Sequence, residues 1–157
     1  MRGLPETAVF QMCTLLGMCA ERAEALVLAR QSFAEANAIN FRQATYDPNS
    51  ALRFAQLLVR LGEEREADRI LMQLLERVPD FGPAHLERAR AFERRRQPEA
   101  AIPSAQRALA GTGNDINSER AAHGMLARLY FAAGNTTAAQ AEQAWIAAHP
   151  NPETPRR

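Results

Sequence analysis

Residues 48–79, PNSALRFAQLLVRLGEEREADRILMQLLERVP, decide the fold of this chain. Their apolar side chains recur at helical spacing in two runs, which Gly62 separates, and Pro79 ends the second run. Glycine adopts the positive φ that ends a helix tightly, and proline cannot continue a helix. Asp47 and Pro48 form a favourable helix start, because the carboxylate caps free N–H groups and proline needs no donor at the first position. The stretch therefore predicts two amphipathic helices, A and B, joined as a hairpin.

The same order of small and large apolar residues occurs twice more along the chain. A second copy follows at a shift of 34 residues and a third at a further shift of 38. The equivalent positions are Ala55, Ala89 and Ala127 in helix A, Leu58, Phe92 and Tyr130 one turn later, and Ala67, Ala101 and Ala139 in helix B. A hairpin of this kind buries its apolar face only by stacking on a neighbour, so the repeat predicts a helical solenoid.

The predicted architecture is all-α, with an N-terminal helical segment, three hairpins and a short tail. Their bounds are 1–47 for the segment, 48–81, 82–115 and 120–153 for the hairpins, and 154–157 for the tail. The helical pattern fills residues 6–40, for which two interpretations stay open. They form either one long helix or a degenerate hairpin, in which Cys13 takes the place of Ala55 and Ala25 that of Ala67.

Composition limits the function classes. The chain has 157 residues, which suits one domain, and a hydrophobic fraction of 46%, which is ample for a core. Its net charge of +1 provides no global attraction to nucleic acid or membrane. All 19 basic residues are arginine, which resembles the usage of GC-rich bacterial genomes. A bacterial protein with locally placed charges is therefore expected.

Cysteine usage and the N-terminal residues bear on location. Cys13 and Cys19 lie six residues apart and so on different faces of a helix, which predicts neither a disulfide nor a shared metal. The absence of a cysteine framework favours a reducing compartment, and a cytoplasmic location is predicted. Glu6, Gln11 and Met18 argue against an export signal. No apolar run approaches the roughly 20 residues of a membrane span.

The repeated residues resemble a known family. Gly62, Ala67 and Pro79, with Ala55 and Leu58 before them, resemble the tetratricopeptide repeat (TPR). The resemblance implies a right-handed α-solenoid that binds partner proteins or peptides along the concave surface of its A helices. In the second hairpin the chain departs from the pattern, because an arginine stands in the glycine position and a glycine in the proline position.

The resemblance also implies which side chains line that surface. Position by position, they are Leu52, Gln56, Arg60, Leu86, Arg90, Arg94, Gly124, Arg128 and Phe131. An apolar floor with arginine walls suits an acidic or amphipathic segment. The alternative is that these arginines are solvated helix surface paired with Glu87 and Glu93. The Asn and Lys set with which one type of family member clamps a C-terminal carboxylate is missing, so a chaperone-tail receptor is not expected.

The last helix carries a second candidate surface. Ala138, Ala141, Trp145 and Ala148 recur at spacings of three and four, which predicts one apolar stripe. Terminal repeats need a polar cap, and none follows this helix. The stripe therefore predicts a homo-oligomer or a docking surface. The alternative is that the tryptophan folds back over helix A near Tyr130 and Phe131.

The remaining patterns indicate no chemistry. No nucleophile and base set, phosphate loop or carboxylate pair stands out, so neither an enzyme nor a cofactor is predicted. His85 and His123 lack further ligands at metal spacing. The basic run 94–96 has no interleaved aromatic residues, so nucleic acid is not an expected partner. The sequence predicts a protein-interaction module, an adaptor or chaperone-like scaffold, and the alternative is a permanent structural subunit of a larger assembly.

Overall fold

The computed structural model describes residues 5–113 and 115–150, and all regular secondary structure in these ranges is helical. The eight helices are α1 (Glu6–Arg22), α2 (Leu26–Arg42), α3 (Pro48–Arg60), α4 (Glu64–Arg77), α5 (Gly82–Arg94), α6 (Pro98–Ala110), α7 (Ile116–Ala132) and α8 (Thr136–Ala148). The predicted all-α fold is confirmed. Of the predicted tail, residues 154–157 lie outside the described ranges.

Consecutive helices pack as hairpins: α1 with α2, α3 with α4, α5 with α6, and α7 with α8. The chain divides into two compact units of two hairpins each, Met1–Val78 and Pro79–Arg157. In the first unit α2 packs on α3, and in the second unit α7 packs on both α5 and α6. Stacking of consecutive hairpins is the packing expected in an α-solenoid. The N-terminal segment forms two helices, as the hairpin interpretation of residues 6–40 expects.

All four hairpins turn in the same way. Each has one residue with positive φ between its helices, namely Glu24 (56°), Gly62 (78°), Arg96 (57°) and Gly134 (78°). The N–H of the following residue donates to the carbonyl five residues earlier, at 2.9, 2.8, 3.0 and 2.8 Å in the four turns. This is the Schellman arrangement, which satisfies carbonyls at the end of a helix. The N-terminal hairpin therefore has the same turn as the other three.

The turn corrects the register expected for the first hairpin. With Glu24 equivalent to Gly62, the position of Ala55 falls on Gly17 and that of Ala67 on Ala29, and both of these residues are buried. Gly17 allows the ring of Phe33 to approach, since a Cβ there would lie 3.0 Å from Phe33 Cγ. Cys13 is only half-buried and Ala25 is exposed, so the register through these two residues is wrong.

The core of the second unit shows why small residues recur. Ala89, Ala101 and Ala105 are fully buried and pack with Met125, Leu126 and Leu129 of α7. Alanine allows the axes of α5, α6 and α7 to approach closely, and the larger side chains of α7 fill the space. The packing fixes which faces of α5 and α7 remain outside.

Tyr46, in the connection before α3, makes the stability of the fold decrease at alkaline pH. Its ring contacts Phe41 edge to face, with centroids 5.5 Å apart, and Arg77 lies over the ring. Burial raises the pKa of the Tyr46 phenol to about 12, and the Arg77 charge offsets part of that shift. Because the folded-state pKa lies above the unfolded value of about 10, the stabilisation is complete below pH 10 and is lost as the pH rises toward 12.

We expect the free energy of unfolding to fall by on the order of 1–2 kcal/mol between pH 9.5 and 12 through Tyr46, after allowing for solvent screening. Urea unfolding across this range measures the fall. Tyr46→Phe should remove that part of the pH dependence, because phenylalanine has no proton to lose. If the free energy of unfolding of Tyr46→Phe fell with pH as steeply as that of the parent, Tyr46 would not be the source of the pH dependence.

Candidate functional site

The structure places the predicted surface residues of the first unit on one side of α3. Leu52 is half-buried, and Gln56 and Arg60 are exposed one and two turns later. The guanidinium of Arg60 donates to the carboxylate of Glu21, at the end of α1, over 2.5 Å. Arg60 is therefore engaged within its own unit, where it joins the first hairpin to α3.

In the second unit, Gly124, Arg128 and Phe131 follow one another along the same face of α7. Phe131 is 69% exposed, which is unusual for a phenylalanine. A Cβ built on Gly124 would have no heavy atom within 4 Å, so the surface beside that glycine is open. This part of α7 presents a large apolar side chain next to an open stretch of helix.

The facing part of α5 carries the other predicted residues. Leu86 is half-buried against the core, and Arg90 and Arg94 are exposed. Arg128 Nε donates to Glu93 Oε1 over 3.0 Å and thereby links α7 to α5. We refer to Leu86, Arg90, Glu93, Arg94, Gly124, Arg128 and Phe131 as the α5–α7 face.

Ion pairs reduce the positive charge of this face. Arg90 Nη1 donates to Glu87 Oε1 over 2.5 Å, and Arg128 pairs with Glu93. Both arginine side chains remain exposed, whereas Glu87 is buried. The pair between Arg128 and Glu93, in which neither side chain is buried, contributes at most about 1 kcal/mol. Arg90 and Arg128 are therefore paired with Glu87 and Glu93, as the alternative considered from the sequence expects.

A shallow pocket of about 420 Å³ adjoins the α5–α7 face. Its lining residues are Glu93, Arg96, Pro98, Glu99, Leu129 and Ala132. Leu129 and Ala132 provide an apolar floor, and charged groups surround it. Four of these residues lie in or beside the turn between α5 and α6. Sequence reasoning singled out Glu93 and the basic run 94–96 but did not predict the pocket. The available signal was the arginine in the glycine position, because Arg96 has positive φ and lines the pocket.

The structure places Trp145 on the inner side of α8. Its ring stacks between two imidazoles, with centroid distances of 3.8 Å to His123 and 4.1 Å to His149. His123 Nδ1 lies 2.5 Å from Glu142 Oε2. This is the folded-back alternative, although the contact is with His123 in place of the expected Tyr130 and Phe131.

The apolar stripe predicted for α8 is consequently only partly buried. Ala138 is half-buried on the same side as Trp145, whereas Ala141 and Ala148 are exposed. Ala144 and Ala147 are also exposed, so the outer surface of α8 carries alanines and no large apolar residue. Trp145 does not lie on this outer surface, because the flat imidazole of His123 provides a stacking surface for its indole ring.

Two further properties concern the described residues only. No three His, Cys, Asp or Glu side chains among them lie close enough together to hold a metal ion. None of the helices in residues 5–113 and 115–150 has both the length and the apolar character to cross a membrane.

Comparison with known proteins supports the fold. No family model matches the chain, and no curated protein matches it. Among solved structures, the chain is similar to the crystal structure of BtubC (BKLC) from P. vanneervenii, with a TM-score of 0.80 and 18% sequence identity. The match covers 100% of this chain and 72% of BtubC. At this identity the likeness shows a shared helical-repeat-like fold and nothing about function.

Proposed function

We propose that the chain is a TPR-like protein-interaction module, an adaptor or chaperone-like scaffold, and that its α5–α7 face binds an amphipathic segment of a partner protein. The observation that carries the proposal is the exposed Phe131 beside the open surface at Gly124. Large exposed aromatic side chains are common anchors of interfaces. A helix or extended segment can place an apolar side chain against Phe131 and a second one in the adjoining pocket.

The ion pairs refine the chemistry of the partner. The α5–α7 face and its neighbour Glu87 contain three arginines and two glutamates, so its charge is close to balanced. Because Arg90 and Arg128 already have carboxylate partners, an acidic segment must compete with Glu87 and Glu93. Apolar burial therefore contributes more to binding than charge, and the arginines fix the orientation of the segment. Cysteine usage and the all-arginine basic set support a cytoplasmic, bacterial protein.

Affinity purification with quantitative mass spectrometry tests the proposal. Gly124→Leu and Phe131→Ser should each reduce recovery of the main partner by at least about tenfold, because one blocks the face and the other removes its anchor. Ala144→Leu is the matched control, since it places the same leucine side chain at an exposed position of α8. Thermal melts of all three variants should stay near the parent.

Two outcomes would contradict this assignment. The first is unchanged recovery of every partner by both face variants. The second is equal loss with Ala144→Leu. A partner that depends on the exposed residues of another surface would instead favour the structural-subunit alternative. The triple substitution of Arg90, Arg94 and Arg128 by alanine should weaken recovery less than Phe131→Ser does and should reduce its salt dependence.

A further inference from the structure

The first helix is apolar on the side that faces away from its hairpin. Its inner side packs on α2 through Gly17 and Ala20, which are buried. On the outer side Met12, Leu15 and Leu16 are 58%, 61% and 48% exposed. A surface helix of a soluble protein normally has polar residues opposite its core face, and a helix that is apolar all round is normally covered. The outer side of α1 therefore has the composition of a buried surface.

Four residues on the outer side of α1 follow a regular pattern. Ala8, Met12, Leu15 and Cys19 are separated by four, three and four residues, which places them along one face of the helix. Met12, Leu15 and Cys19 are exposed, and Ala8 is half-buried. We call these four residues the α1 stripe. The spacing of the four residues is the same from either end of the stripe. Their sizes are also symmetric, with the small residues Ala8 and Cys19 at the ends and the large residues Met12 and Leu15 in the middle. Such a pattern is self-complementary when two copies run antiparallel.

We propose that the α1 stripe binds the α1 stripe of a second copy of this chain in an antiparallel, two-fold symmetric pair. A two-fold axis between Met12 and Leu15 brings Met12 of one copy against Leu15 of the other. It also brings Ala8 against Cys19, so each end of the pair joins two small residues. A two-fold interface requires a surface that complements itself, and the stripe satisfies this condition.

The charges of α1 are compatible with this pairing. Glu6 and Glu21 are engaged within the unit, with Arg42 at 3.4 Å and Arg60 at 2.5 Å. Arg22 is the charged residue of α1 that flanks the stripe, and it lies at one end of the helix. In an antiparallel pair the two copies of Arg22 lie at opposite ends. An uncharged strip thus meets an uncharged strip, and like charges stay apart.

The available area sets the expected strength of the pair. The exposed large apolar side chains of this hairpin are Met12, Leu15 and Leu16 on α1 and Val27 and Leu28 at the start of α2. At roughly 100 Å² each, the five large side chains expose on the order of 500 Å² per copy, or on the order of 1,000 Å² in a pair. This is about the minimum area for a specific interface, so we expect a weak pair that forms only as the protein concentration rises.

The mass of the full-length chain in solution is the first test. Light scattering after size exclusion, from about 1 to 100 µM, should show the mass rising from 17.4 kDa toward twice that value. Leu15→Glu should keep the chain monomeric at all these concentrations, because it would bury a charge against Met12 of the other copy. Met72→Glu is the matched control, since Met72 is 53% exposed on α4 and lies outside the stripe. It should leave the dimer intact.

Cross-linking tests the antiparallel register. In a Cys13→Ala background, Ala8→Cys should give a covalent dimer under oxidised glutathione, because residue 8 of one copy meets Cys19 of the other. Within one chain the two positions are about 16 Å apart along the helix, too far for a disulfide. Adding Cys19→Ser should abolish the covalent dimer.

Four results would overturn the proposal. They are a monomer at 100 µM, growth beyond two copies, dimerisation that survives Leu15→Glu, and efficient cross-linking through Cys19 alone. A monomer at 100 µM means that the stripe does not pair with a second copy. Growth beyond two copies indicates head-to-tail association, a dimer of Leu15→Glu indicates that a different surface pairs, and cross-linking through Cys19 alone indicates that the helices run parallel.

Discussion

Asn40→Leu is expected to lower the free energy of unfolding by about 3 kcal/mol. Asn40 lies at the end of α2 and is fully buried. Its Nδ2 donates to the carbonyl oxygen of Asp47 over 2.7 Å, and its Oδ1 accepts from the N–H of Asp47 over 2.8 Å. Asp47 is the N-cap of α3, so this one amide joins the end of α2 to the start of α3.

The size of the effect follows from the groups that lose their partners. Leucine has the same branching and the same number of heavy side-chain atoms but makes neither hydrogen bond, and the backbone N–H and carbonyl of Asp47 lose their side-chain partner. Each lost bond contributes about 1 kcal/mol, and each buried polar group without a partner costs about 1–3 kcal/mol. Urea denaturation followed by circular dichroism measures the change through the shift in midpoint.

A matched control lies one turn earlier on the same helix. Asn37 is also buried, and its side-chain oxygen has no hydrogen-bond partner among the described residues. Asn37→Leu makes the same chemical change without removing a bond to that oxygen, so its cost should stay below about 1 kcal/mol. If the two variants unfold at the same urea concentration, the amide of Asn40 does not stabilise the connection between α2 and α3.

The repeat hairpins could be predicted because their signals are local. Gly62 and Gly134 supply the positive φ of two turns directly, and alanines such as Ala67 and Ala89 mark where helices approach closely. The first hairpin lacked the glycine signal. Its turn residue is Glu24, which adopts positive φ because the hydrogen bonds of the Schellman turn hold it there. A carboxylate side chain carries no sign of that conformation, so the register could not be read from the sequence.

The candidate site divides in the same way. Position within the repeat places Arg128 and Phe131 on the A helices, and the structure finds both exposed on α7. The pairing of Arg128 with Glu93 depends on side-chain conformations across two helices, which periodicity does not specify. The stacking of Trp145 on His123 likewise depends on which imidazole its ring can reach. Pairwise contacts between helices were therefore beyond the sequence pattern.

The second large effect is expected at Gly111, which follows α6. Gly111→Ala should lower the free energy of unfolding by about 3 kcal/mol or more, at the upper end for overpacking. A Cβ at Gly111 would clash with the carbonyl oxygen of Asp80 and lie 2.8 Å from the nitrogen of Gly82. These are backbone atoms, so no side-chain rotation relieves the contact. Because φ of Gly111 is −93°, a conformation open to any residue, the effect is purely steric.

Gly124→Ala is the control for this substitution, because it makes the same change in the same unit. Gly124 lies inside α7, and a Cβ there meets no atom within 4 Å. Replacing glycine by alanine within an exposed helix should raise the free energy of unfolding by about 0.5–1 kcal/mol. Thermal and urea unfolding of the two variants should therefore shift in opposite directions from the parent. If Gly111→Ala unfolded at the same midpoint as the parent, the close contact between the C-terminus of α6 and the N-terminus of α5 would be contradicted. The contact between Gly111 and Gly82 positions the first turn of α5 within the unit, and the α5–α7 face depends on that position. Partner binding by Gly111→Ala should therefore weaken together with its stability. Gly124→Ala should keep the fold intact.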